Sequence, residues 1–163
     1  MAADSAVTSE ERVEILARPK LRRRSGLIVG ACGDMAAVGA ILDGMVLPAY
    51  SGGPVAEWVT TMLWPTVDSC LRSLNVRKNN EFQVLVGVSH RGYRALASID
   101  QYGSPIVYDR CYAAIGSGEA YALGSLCGGG WRRLEPGERV RRAVAAAAEH
   151  CCNVRGRIGV LSA

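Results

Sequence analysis

The chain has 163 residues and a mass of 17.3 kDa, a common size for one domain that leaves little room for two. Hydrophobic residues make up 49% and charged residues 21% of the sequence, which is typical of a folded globular protein and excludes wholesale disorder. The formal net charge is +4, and Lys20 and Lys78 are the only lysines among the 19 basic residues. This arginine bias does not by itself indicate a nucleic-acid partner.

The sequence predicts neither a membrane segment nor an export signal. No apolar run is long enough to cross a bilayer, and the N-terminus, MAADSAVTSEER, carries acidic residues where a signal peptide would be basic and then apolar. We therefore expect a cytoplasmic protein with no membrane partner. The one dense basic run, Arg18 to Arg24, alternates with apolar residues and lacks aromatics, so we interpret it as a solvated strand and expect no nucleic-acid partner.

The cysteine pattern predicts neither a metal site nor a disulfide framework. There are six cysteines without a CxxC pair, and the two histidines, His90 and His150, stand far apart. We expect no structural zinc and no cofactor. The thiols are interpreted as small, buried hydrophobic groups in a reducing compartment.

The first half of the chain is predicted to form short strands and then two helices. Arg12 to Leu16 alternates like a strand, and KLRRR and LIVGAC form a hairpin around Ser25-Gly26. Asp34 can cap a helix. The apolar residues of that helix share one face, namely Met35, Val38, Ile41, Leu42 and Met45. A second helix, Val55 to Leu74, must be bent or split by Pro65.

The second half is predicted to form a strand meander, two helices and a last strand. The strands cover Phe82 to Val88, Arg94 to Ile99 and Ile106 to Tyr108; the helices cover Glu119 to Cys127 and Pro136 to Cys151; the last strand covers Arg157 to Leu161. This order lacks the strict alternation of a parallel sheet. We infer an α+β fold of a single domain, residues 1–163: a four-layer αββα sandwich of two mainly antiparallel sheets.

Several stretches, taken in order, carry a family resemblance. Ala2 to Thr8 places an aspartate, Asp4, within a strand, and Lys20 follows 16 residues later. LIVGACGD is a strand leading into a helix, AIGSGEAYALGSL is a serine-containing turn and helix, and Glu138 to Val160 is a closing helix and strand. In order and spacing these stretches resemble the proteasome and HslV-type peptidase subunits, members of the N-terminal nucleophile hydrolases. The resemblance runs almost end to end.

The resemblance implies roles for five residues. The family's nucleophile is a terminal threonine hydroxyl, and the free amine of the same residue takes its proton. Lys20 would favour the unprotonated amine and Asp4 would hold Lys20 in place. A backbone amide at Gly30 or Gly33 would bind the oxyanion, and Ser117 would support the amine by a hydrogen bond.

The resemblance also implies that the family's first strand, which carries the nucleophile, has no counterpart in this sequence. Met1 is not such a nucleophile, and its removal would expose Ala2. Either an upstream strand completes a threonine-type peptidase subunit, or the chain is a non-catalytic homologue with a structural or assembly role. As written, the chain should be inactive. A third alternative is a thiol hydrolase that uses Cys32 with His90 or His150.

Partners follow from the resemblance rather than from composition. Proteasome-like subunits stack into rings around a chamber, so the resemblance implies a homo-oligomeric ring, a polypeptide substrate and a possible unfoldase partner. Trp58, Trp64 and Trp131 could anchor ring contacts, although core packing is the simpler interpretation.

Overall fold

The computed structural model describes residues 1–8, 13–17, 20–24, 26–76, 80–128 and 133–162. The strands in these ranges are β1 (Ala2–Ala3), β2 (Ala6–Thr8), β3 (Val13–Ile15), β4 (Leu21–Arg24), β5 (Leu27–Gly33), β6 (Phe82–His90), β7 (Tyr93–Asp100), β8 (Ile106–Tyr108) and β9 (Gly159–Val160). The helices are α1 (Met35–Gly39), α2 (Val55–Trp58), α3 (Trp64–Ser73), α4 (Glu119–Cys127) and α5 (Pro136–His150). Predictions for Arg12, Arg18, Ser25, Trp131 and residues 129–130 lie outside the described residues.

A five-stranded antiparallel sheet, in the order β4-β5-β6-β7-β8, is the centre of the fold. The predicted hairpin β4–β5 and the predicted meander β6–β8 are both present. The register between β5 and β6 places Cys32 opposite Gln83. Two shorter antiparallel pairs, β1–β9 and β2–β3, accompany this sheet, so the predicted α+β class with antiparallel sheets is confirmed.

One face of the large sheet is covered by the first helices. Asp34 caps α1 as predicted, because its Oδ1 accepts hydrogen bonds from the amides of Ala36 (2.9 Å) and Ala37 (3.1 Å). A π-helical turn, Ala40–Gly44, continues α1. The second predicted helix is one run from Val55 to Ser73, in which α2 and α3 are joined by a second π-helical turn, Val59–Leu63.

Pro65 falls in the first turn of α3, directly after this π-helical turn. A proline lacks the amide that an α-helix interior needs, and the changed hydrogen-bond spacing of a π-helical turn accommodates it. Trp58 is buried in the core between these helices and the sheet, and Trp64 packs against that core. The core interpretation is therefore confirmed for both tryptophans.

The other face of the large sheet lies opposite α4 and α5. These two helices share a second, smaller apolar core, formed by Ala122, Leu126, Ala143, Ala147 and Val154. Strands β1 and β9 both contact α5, and the Met1 side chain reaches the large sheet near Gly30. The small strand pair thus lies between the large sheet and α5, which gives the predicted order of layers. The last strand is shorter than predicted, Gly159–Val160 instead of Arg157 to Leu161.

Replacement of Leu63 tests the packing of the helix layer. The Leu63 side chain is 0% exposed, whereas that of its neighbour Met62 is 49% exposed. We expect Leu63→Ala to lower the free energy of unfolding by about 2–5 kcal/mol, because it leaves a cavity. Met62→Ala should change it by less than about 0.5 kcal/mol. Urea denaturation measures both, and equal losses would contradict the described packing.

Glu138, in the first turn of α5, provides a pH test. Hydrogen bonds from the Arg141 and Arg142 guanidinium groups lower the pKa of its carboxyl to about 2. The pKa in the unfolded chain is about 4.3, so the stabilisation by these ion pairs is present above that pH and is lost as the pH falls toward 2. In an NMR titration Arg141→Gln should raise the Glu138 midpoint. Arg72→Gln, whose guanidinium pairs with Asp68 on α3, should leave it unchanged.

Candidate active site

A cleft of about 1100 Å³ lies between the large sheet and the α4–α5 layer. Its floor is formed by β5, β6 and β7, and its opposite wall by the two helices. Residues 1–4 and the loop 108–118 complete its sides. Four of the five residues that the resemblance implied line this cleft: Asp4, Lys20, Gly30 and Ser117.

Asp4 and Lys20 form an ion pair at the cleft. The distance from Lys20 Nζ to Asp4 Oδ1 is 3.3 Å, and the two side chains are 15% and 13% exposed. Asp4 Oδ2 accepts hydrogen bonds from the amides of Ala6 (3.2 Å) and Arg155 (3.3 Å). The sequence predicted one strand over Ala2 to Thr8, but the structure has two, β1 and β2. The chain is interrupted at Asp4, whose side chain accepts these backbone hydrogen bonds. These bonds hold the Asp4 carboxylate in place, and the carboxylate in turn holds the Lys20 ammonium group.

The two oxyanion candidates occupy different positions. Gly30 lies within β5, opposite Leu21 and Leu85, and lines the cleft. Gly33 ends β5 with a φ of +111°, and a side chain there would overlap the backbone of Glu81 and Phe82. The last residue of β5 to line the cleft is Cys32. The structure thus brings Gly30 together with the ion pair and places Gly33 at the end of the strand.

Ser117 lies in a corner, residues 115–118, that leads into α4. The amide of Glu119 donates to Gly116 O at 3.0 Å, which begins the helix. A Cβ at Gly118 would lie 2.7 Å from Val154 Cγ2 and 2.9 Å from Ala147 Cβ. Glycine is needed at this position because the corner packs closely on the second core. The predicted serine-containing turn thus leads into α4, and Ser117 lines the cleft.

Met1 lines the cleft, and its side chain lies over Gly30 and Gly87. Its amine donates to Leu161 O at 2.7 Å, and the Leu161 amide donates to Met1 O at 2.8 Å. Burial lowers the pKa of this amine below its ordinary value. The Met1 sulfur is 3.3 Å from the position that a Cβ on Gly30 would take. The Met1 side chain therefore lies over β5 at Gly30, one of the two oxyanion candidates.

Three residues make contacts at the site that the sequence did not predict. Arg155 donates its backbone amide to Asp4. Gln83 Oε1 accepts from the Gly116 amide at 3.3 Å, and Cys32 Sγ lies 3.7 Å from the same oxygen. Backbone donors and cross-strand partners leave no motif in a sequence. The pairing of Cys32 with Gln83 required the strand register.

The geometry does not support a thiol hydrolase. Burial raises the pKa of the Cys32 thiol to about 11, an effect that the nearby Lys20 ammonium opposes only in part. His90 packs edge-on against Tyr50 at 5.6 Å between ring centroids, and His150 lies 5.4 Å from Tyr121. Of the described residues that line the cleft, none is a histidine. A neutral thiol without a base is a poor nucleophile.

In the part of the chain that the structure describes, there is no group of three or more histidine, cysteine, aspartate or glutamate side chains that could hold a metal ion. Within the same residues, no helix is both long and apolar enough to span a membrane.

Comparisons with known proteins give a fold likeness. No protein-family model matches the chain, and no curated protein matches it. Among solved structures, BPH from Thiobacillus denitrificans in complex with epoxomicin superposes with a TM-score of 0.74 at 19% identity, covering 98% of this chain and 89% of that one. Eukaryotic HslV from Trypanosoma brucei gives 0.67 at 18% identity, with 98% and 90% covered. Anbu from Yersinia bercovieri gives 0.70 at 19%, with 98% and 75% covered.

These likenesses identify the class of fold. HslV, BPH and Anbu are proteins of the N-terminal nucleophile hydrolase type, and this chain has their proteasome-like fold.

Alkylation of Cys32 tests the description of the cleft. Because its thiol pKa is raised to about 11, we expect iodoacetamide at pH 8 to label Cys32 far more slowly than the exposed Cys152. The Cys32 rate should continue to rise up to about pH 11, as followed by peptide mass spectrometry. Equal labelling of the two cysteines at pH 8 would contradict the burial of Cys32.

Proposed function

We propose that this chain is a proteasome- or HslV-like peptidase subunit, active as a threonine-type endopeptidase when a preceding segment supplies the nucleophile-bearing strand. The observation that carries the proposal is the Asp4–Lys20 ion pair at 3.3 Å, held at the wall of a cleft of about 1100 Å³. The cleft lies beside β1, between the large sheet and the helices, and that position suits an added strand. Ser117 and Gly30 line the same space.

The chemistry follows from these groups. A hydroxyl becomes a strong nucleophile only when a base takes its proton. A terminal amine has a pKa of about 7.7–8.0 in model peptides, so it can accept the proton and later return it. The Lys20 ammonium would favour the neutral amine and stabilise the developing alkoxide. The Gly30 or Gly33 amide would then bind the oxyanion of the tetrahedral intermediate, while Ser117 would support the terminal amine.

Location and assembly belong to the same proposal. All six cysteines are unpaired, which supports a reducing compartment and hence the cytoplasm. The proteasome-like fold supports assembly into a homo-oligomeric ring, with unfolded polypeptides as substrates and an unfoldase as the means of admitting them.

A second candidate function is a non-catalytic structural or assembly subunit. The contacts of Met1 favour it: its backbone pairs with Leu161 through hydrogen bonds of 2.7 and 2.8 Å, and its sulfur lies over Gly30. In this arrangement the methionine occupies space that a nucleophile and its substrate would need.

The natural N-terminus decides between the two functions. We expect mass spectrometry of the natively expressed protein to find a threonine-led N-terminus, with an oligomeric mass of several subunits. An in-frame stop codon directly upstream of Met1 would contradict the peptidase and leave the structural subunit.

Substitution of Lys20 tests the catalytic role in the natively processed protein. We expect Lys20→Met to reduce kcat for peptide hydrolysis by about 10²–10³-fold, because the alkoxide loses its nearest positive charge. The matched control is Arg22→Met, two residues along the same chain segment, since the Arg22 guanidinium pairs with Asp43 instead. Equal losses in the two variants would argue against a catalytic lysine. Epoxomicin, present in the BPH complex, serves as a second probe in a thermal-shift assay.

A further inference from the structure

We propose that Gln83 is a positioning residue, which holds the Ser117-bearing corner, residues 115–118, against the end of β5. The Gln83 side-chain carbonyl accepts a hydrogen bond from the Gly116 amide at 3.3 Å. The thiol of Cys32 lies 3.7 Å from the same oxygen. An amide oxygen has two lone pairs and can accept both donors. The catalytic consequence rests on the proposed function, but the positioning itself can be measured without any activity.

The strand register makes this contact possible. Gln83 lies directly opposite Cys32 in the antiparallel β5–β6 pair, so the two side chains project from the same face of the sheet. Cys32 lines the cleft on that face. Gln83 is exposed at the strand end, so apolar burial does not explain its contact with the corner.

The corner is attached on two sides. On the helix side, Gly118 packs against Val154 and Ala147, and the Gly116 carbonyl accepts the first bond of α4. On the sheet side, the Gln83 bond is joined by close packing, because a Cβ on Gly116 would lie 3.2 Å from Cys32 Sγ. The sheet side sets the separation between Ser117 and β5, the strand that carries Gly30 and Cys32.

Loss of the Gln83 acceptor should detach the corner from the sheet. The Gly116 amide would then be hydrogen-bonded to water instead, and the corner could move away from β5 together with the helix layer. Ser117 would then shift relative to the Asp4–Lys20 pair, although none of these three residues had been changed. This indirect effect is what distinguishes a positioning residue from a catalytic one.

Hydrogen exchange of the full chain tests the positioning. In Gln83→Leu, which keeps similar bulk but has no acceptor, we expect the Gly116 amide to exchange about two- to tenfold faster, the change that corresponds to one net hydrogen bond. Gln83→Glu should keep the slow exchange, because a carboxylate oxygen accepts the same bond. Gln101→Leu, the same substitution in the turn after β7, is the matched control. The amides of β6 and β7 report in the same experiment that each variant is folded.

Two results would overturn the proposal. One is slow Gly116 exchange in Gln83→Leu, which would mean that packing alone holds the corner. The other is fast exchange in Gln83→Glu as well, which would mean that the hydrogen bond is not the cause. Alkylation of Cys32 gives a second readout, since an opened corner should accelerate it in Gln83→Leu but not in Gln101→Leu.

Peptide hydrolysis by the natively processed protein separates the two hypotheses. If the parental protein is active, Gln83→Leu should lower kcat with little change in KM, and Gln83→Glu should restore kcat. If the parental protein is inactive, the proposed function fails, and the exchange of the Gly116 amide still decides the role of Gln83. Activity combined with identical Gly116 exchange in all variants would reject the positioning role alone.

Discussion

The carboxylate of Asp4 joins three parts of the chain that are distant in sequence. One oxygen accepts from Lys20 at 3.3 Å, and the other accepts from the amides of Ala6 and Arg155 at 3.2 and 3.3 Å. The Lys20 amide also donates to the Asp4 carbonyl. Asp4 and Arg155 are separated by 151 residues. Strand β1 precedes Asp4 and β9 follows Arg155 in the chain, so these bonds help to hold the segments that carry β1 and β9 together beside α5.

The cleft exists because the two faces of the large sheet differ. On the face toward α1–α3, Val84, Val86 and Ile99 are almost completely buried in a continuous core. The opposite face carries Gly30 and Gly87, over which Met1 lies. Small residues let another layer approach the strands closely. Among the described residues, the short β1–β9 pair lies between this face and α5, beside the open space of the cleft.

Much of the fold could be predicted from local sequence patterns. Strands β5–β7 are apolar runs of strand length bounded by turn residues, and α5 begins at a proline and continues through alanines, so their positions follow from local chemistry. The π-helical turn before Pro65 and the break of the first strand at Asp4 were not predicted. The break at Asp4 depends on a partner far away in sequence, the Arg155 amide.

The residues of the candidate site also differ in whether the sequence could predict them. Asp4, Lys20, Gly30 and Ser117 were predicted as site residues because their order and spacing resemble those of a known family, and all four line one cleft. Gln83 could not be assigned, since its role depends on lying opposite Cys32 in a register that alternation alone does not fix. Gly33 has a clear structural reason to be glycine at a φ of +111°. An oxyanion donor is a backbone amide, so both glycines stay predicted donors: Gly30 lies within a strand paired on both sides, and Gly33 lies at its end.

Stability alone is a poor explanation for the Asp4–Lys20 pair. Both side chains are more than four-fifths buried, and removing two charges from water costs more than their attraction commonly returns. An apolar pair of similar volume would complete this wall of the cleft at least as well. Asp4 would still have reason to remain, because it accepts two backbone amides, but those bonds do not require a lysine. A positive charge at Lys20 becomes useful when a neutral amine and a developing oxyanion must be stabilised beside it. That requirement links the buried charge to the peptidase proposal more closely than to a purely structural subunit.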